Sequence, residues 1–144
     1  TGERIMLRDD RQAALNAAIE ACLHAAHVHA DGADQIGEDA PRLRQLAARR
    51  RQDAETLAAH LRQLGDLPME PDPEYEAVTN LVSHVKAALT ADEGGQVRTR
   101  SHDAEDALAE ALRQALKQDL APDCRSAVEQ VLSSCAEIRW DALS

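Results

Sequence analysis

Small and apolar residues early in the chain recur at alternating steps of four and three: Leu15, Ile19, Cys22, Ala26, His29, Ala33 and Ile36. An α-helix turning every 3.6 residues gathers such positions on one side, whereas a strand needs alternation every second residue. A repeat averaging 3.5 is the seam along which two helices pack lengthwise. The same arithmetic returns in Leu43, Ala47, Arg50, Ala54, Leu57, Leu61 and Leu64. It returns again in Cys124, Val128, Val131, Cys135, Ile138 and Ala142. Strand formers are scarce: Phe is absent, and Tyr75 and Trp140 stand alone of their kinds. No sheet is expected.

Breakers divide the chain. A first helix is expected over about Asp10 to Gln35, ended by Gly37 and the stretch to Pro41. A second starts near Pro41, a residue suited to a first helical turn, and stops at Gly65 and the prolines 68, 71 and 73. A third covers about Glu74 to Thr90 and is broken by Gly94-Gly95. A fourth runs from about Gln96 to Gln118, with the stripe Ala104, Leu108, Ala111, Leu112 and Ala115. Pro122 opens a last helix reaching about Leu143. Residues 1–9 read as a charged tail without a leader-like apolar core, and 10–144 as a single domain.

Short connections make the first two helices antiparallel, and likewise the last two. Between the pairs lies a segment whose helix spans roughly 25 Å, enough to cross a bundle lengthwise. The expected fold is therefore all-α: an antiparallel four-helix bundle with the single long crossover of ferritin-like folds, and an additional helix in that crossover. An up-down bundle with a broken third helix fits the periodicity almost as well. Ala-rich seams without aromatics make a thin core, so a homodimer burying more surface is expected.

The net charge of −10 disfavours nucleic acid and anionic membrane as partners, since both need a basic surface. No apolar run approaches the roughly 20 residues of a membrane-spanning helix. The odd cysteine count (Cys22, Cys124 and Cys135) points to reduced thiols and a cytoplasmic setting rather than a disulfide framework.

Several stretches together resemble the landmarks of one family. They are Leu15-Asn16 with Ile19-Glu20, Gln45-Leu46-Ala47 to Arg50, Lys86 to Thr90, Glu105-Asp106-Ala107 with Ala111, and Leu120 with Pro122 and Arg125. The family is an uncharacterised bacterial one, a domain of unknown function in the ferritin-like superfamily, and the resemblance covers about Leu15 to Leu143. It implies the four-helix fold, a bacterial source and no settled activity. The sequence departs from the family pattern by carrying His29, Asp53, Val82 and Leu132 where the family has aromatics, which marks a divergent member.

Four places in the sequence could carry chemistry. A ferritin-like di-iron centre needs Glu-x-x-His on two helices, and the sequence has none. Glu20, His24, His27 and Asp31 form a stripe on the first helix, able in principle to hold a divalent ion but expected on the solvent face. With His29 they make up the ligand set of a metal-binding reading. His29 itself falls on the inward seam, where a histidine bonded to a carboxylate or carbonyl is expected. Arg50 occupies a seam position as well. A buried guanidinium needs a partner, and Glu105, then Glu129, are the candidates for a structural ion pair. Ser101-His102-Asp103 point to different sides of a helix and cannot form a triad. No catalytic residue and no cofactor are expected. The sequence thus reads as a non-enzymatic structural or interaction module. The alternatives are a metal-binding ferritin-like protein and a carrier of apolar small ligands.

Overall fold

The computed structural model describes residues 10–36, 40–65 and 93–140. Among them are four α-helices and no strand. They are α1 (Asp10–Gln35), α2 (Ala40–Gln63), α3 (Glu93–Leu116) and α4 (Pro122–Ala136). The helix expected over Glu74 to Thr90 lies outside the described residues.

The helices form a ring in which α1 packs on α2 and α3, and α4 packs on α3 and α2. Neighbours are antiparallel. The Gln12 amide near the start of α1 donates to the Leu64 carbonyl just past α2, at 3.1 Å. At the other end of α1, the Gln35 side chain accepts from Arg100 of α3 at 2.8 Å. The diagonal pair α2 and α3 therefore runs the same way. Gly65 and Glu93, the two ends of the connection between the hairpins, stand at opposite ends of the bundle.

Local chemistry accounts for the boundaries. After α2 the chain turns on Gly65, whose φ of 84° is the only positive one among the described residues. A Cβ there would be strained. Pro122 opens α4 with Asp123 in its first turn, an acid placed at the positive end of the helix dipole. The Arg125 side chain ties that turn back to the Gln118 carbonyl at 2.9 Å.

Two boundaries differ from expectation. Gly94-Gly95 do not break the chain before the fourth expected helix but lie in the first turn of α3. Glycine costs most in a helix interior. In a first turn, where amide hydrogens lack intrahelical acceptors, it is tolerated. The last helix stops at Ala136 instead of reaching Leu143, with the Glu137 amide closing on Ser134. Beyond it, Ile138 and Trp140 pack on Ala33, Ala40, Leu43 and Val97 at the bundle's end. A continued helix would carry those two side chains past this apolar patch.

The interior has two apolar parts. The larger joins Leu15, Ile19, Leu57, Leu61, Leu108, Leu112, Val128 and Val131 with smaller residues between them. The smaller is the end patch just described. Between the two lies a polar layer.

Candidate functional site

Each element places one part of this layer by its own seam. His29 of α1, Arg50 of α2 and Glu105 of α3 stand where leucine or alanine would continue the pattern, and Ser134 of α4 joins them. All four are buried, Arg50 and His29 completely.

Arg50 carries five N–H donors, and every one has a partner. Nε donates to Glu105 Oε2 at 2.8 Å, and Nη2 donates to Glu105 Oε1 at 2.5 Å. The bidentate fork reaches across the bundle diagonal. Nη1 donates to Asp53 Oδ2 and to Ser134 Oγ, both at 2.8 Å. The second hydrogen of Nη2 points at Cys135 Sγ, 3.6 Å away. Ser134 in turn donates to the Val131 carbonyl at 2.6 Å. Glu105 Oε2 also meets His29 Nε2 at 2.9 Å. A carboxylate only accepts, so Nε2 carries the hydrogen and Nδ1 is a lone pair in the neutral ring.

Burial alone would push the Glu105 carboxyl up. The hydrogen bonds from His29 and Arg50 and the guanidinium charge outweigh burial and hold it down at about 2. Burial likewise works against the charge on Arg50, but Glu105 more than restores it. The thiols respond in the opposite sense. Burial, then Glu105, pushes Cys135 up to about 12. Burial, then the Asp53 charge, raises Cys22 further. Neither is a thiolate at neutral pH, so neither is an activated nucleophile. Ser101, His29 and Glu105 are the residue types of a nucleophile–base–acid set, yet Ser101 and His29 are sealed from solvent. No substrate carbonyl can reach that hydroxyl.

One cleft reaches this layer from outside. It has a volume of about 480 Å³ and lies between α3 and α4. Its lining brings the buried Glu105 together with Cys135, Leu132, Ile138, Asp106 and Trp140. The Trp140 ring stands edge-on to His102, with centroids 5.0 Å apart.

The ligand stripe expected on α1 is not assembled. Glu20, His24, His27 and Asp31 are half-buried rather than on a solvent face, because α1 packs against α2 on one flank and α3 on the other. Glu20 accepts from Asn16 at 3.2 Å and Asp31 from Gln35 at 3.0 Å. Donor atoms of Glu20, His24, His27 and His29 do not converge on a common point. Among the described residues only the exposed trio His102, Asp103 and Asp106 brings three donors within 4.8 Å of one another. Glu129, the second candidate partner for Arg50, is exposed and lines an outer groove with Arg49 and Glu137. Asp53 and Ser134 take the bonds it might have made. Asp53 could have been found from its i+3 spacing to Arg50. Ser134 sits one residue off the Val131–Cys135 seam and carried no such signal.

The donors present do not suit a ferritin-like metal pair. A guanidinium holds the bundle centre, and the carboxylate beside it already accepts from two cationic or N–H partners. The described helices contain no segment long and apolar enough to cross a membrane. No protein-family model, curated protein or solved structure matches the chain.

Proposed function

We propose that the chain is a non-enzymatic helical-bundle module of ferritin-like architecture, one whose centre has exchanged metal chemistry for a structural ion pair. The observation that carries this reading is the saturation of Arg50: all five donors are held by side chains of the protein itself. A closed network of this kind has no donor for a substrate and repels a cation. The ferritin-like assignment is supported by α2 and α3 running the same way on the diagonal, which calls for a connection along the whole bundle. Such a module works through its surface, with a second copy of itself as the first partner to test.

Elemental analysis of protein purified without chelator tests the metal side. Less than a tenth of an equivalent of Fe, Mn or Zn is expected, with no change in melting temperature when these ions are added. Two equivalents retained and lost only on denaturation would refute the reading. Sedimentation equilibrium tests the self-association, a dimer being expected.

A second reading, a carrier of small ligands, is favoured by the cleft over Glu105 and Cys135. Its volume falls in the range of small-molecule sites, and its lining mixes Leu132, Ile138 and Trp140 with Asp106 and Arg113, which suits an amphipathic ligand better than a purely apolar one. Native mass spectrometry followed by denaturation would release such a ligand at unit stoichiometry. A mass equal to the bare chain in both states would dismiss this reading.

A further inference from the structure

Two fully buried polar atoms, His29 Nδ1 and Ser101 Oγ, have no hydrogen-bond partner among the described residues. Leaving such an atom unpartnered costs about 1–3 kcal/mol, so two in one seam point to something that serves both. They share that seam. His29 faces Glu105 across the α1–α3 contact. Gly32, one turn further along α1, faces Ser101, one turn earlier on α3: a Cβ on Gly32 would lie 3.9 Å from Ser101 Oγ. His29 and Ser101 therefore lie on adjacent turns of the same α1–α3 contact.

Ser101 also differs from Thr56, Thr99 and the other buried serine, Ser134. Thr56 and Thr99 fold back onto the carbonyl four residues earlier, and Ser134 onto the one three earlier. This back-bonding is the usual fate of a helical hydroxyl. Ser101 makes no such bond although it is sealed from solvent, and its oxygen is turned toward α1.

We propose that one internal water molecule is bound between His29 Nδ1 and Ser101 Oγ. It donates one hydrogen to the Nδ1 lone pair and accepts the Ser101 O–H. Three bonded groups then run in series: Ser101, the water and the imidazole, ending on Glu105. The water fixes His29 as the Nε2–H tautomer that Glu105 needs. Ser101 thereby acts as a positioning residue for the central ion pair by holding the water.

Replacing Ser101 with alanine gives opposite signs for the two alternatives. If the water is bound, Ser101→Ala removes one of its two ligands and the melting temperature falls. If the hydroxyl is simply stranded, its removal relieves a buried unpartnered group and the melting temperature rises, which overturns the proposal. Oxygen-17 magnetic relaxation dispersion of the solvent gives an independent reading. The parent protein should hold one more long-lived internal water than Ser101→Ala; equal numbers count against the site. Nitrogen-15 shifts of His29 should report the Nε2–H form. A crystal structure should show the water within hydrogen-bond distance of both atoms, and a protein group in that place would end the idea.

Discussion

The two apolar parts of the bundle are unequal, and the polar layer separates them. Toward the loop joining α3 and α4, leucines, an isoleucine and valines from all four helices interlock. Toward the start of α2, four buried residues, Ala33, Ala40, Leu43 and Val97, are covered by three half-buried ones. Burial contributes roughly in proportion to apolar area, so the first part carries the fold and the second is held largely by its attachment to the layer. Seams built from alanine and leucine are nearly self-similar under a slip of seven residues. Only one alignment lets Arg50 reach Glu105, Asp53, Ser134 and Cys135 together. We infer that the layer adds uniqueness rather than stability, as a single buried polar residue fixes register in coiled coils.

The sharpest way to break this comparison is Arg50→Met. It leaves the Glu105 charge buried with only His29 beside it and should cost about 3–5 kcal/mol, read from urea unfolding. Pairing that change with Glu105→Leu should recover the loss or exceed the parent stability. If the layer sets the register, the double variant gains stability while its amide resonances broaden or multiply. Sharp single resonances in a more stable double variant would show that the seams alone define the alignment.

Next in size is a contrast between the two apolar parts. Leu112→Ala, in the larger, should cost about 2–5 kcal/mol. Leu43→Ala, in the smaller, should fall at or below the bottom of that range because the thin end can collapse around the gap. Equal costs would mean that the two parts are one cooperative core. Native-state hydrogen exchange sharpens the point: amides around Leu43 and Val97 should open locally, and those around Leu57 and Leu112 only with global unfolding.

Gly32→Ala ranks third. The added Cβ would meet Val97 Cγ1 at 2.7 Å, an overpacking expected to cost about 1–3 kcal/mol and to act on the smaller part alone. Acid should have the mildest effect at moderate pH. The Glu105 value in the fold, about 2, lies below its ordinary 4.5. The stability that its ionisation supplies is complete above pH 4.5 and is lost as pH falls toward 2. A melting temperature unchanged between pH 5 and pH 2.5 would show that the pair contributes nothing net.

Much of this organisation is written in the spacing of residues. The seam from Leu15 to Ile36 and the one from Leu43 to Leu64 mark α1 and α2, because periodicity records which side of a helix is covered. A charged residue inside such a seam announces that it needs a partner, and helical position narrowed the choice for Arg50 to two acids. The structure pairs it with Glu105. The cleft was not legible in this way. It exists because α4 stops at Ala136, and that stop is set by where Ile138 and Trp140 find apolar surface across the bundle, a contact distant in sequence. The half-buried setting of His24 and His27 was missed for a related reason. The width of a helix's covered face depends on how many neighbours it has, and spacing within one helix does not count them.

Trp140 is the protein's single tryptophan, and it lines the cleft against the ring of His102. The chain consequently carries its own optical probe in the lining of a cleft that reaches Glu105 of the central ion pair. Indole emission is quenched by a neighbouring imidazolium and shifts in colour when its surroundings dry out. A compound entering the cleft can thus be followed in a cuvette without any label.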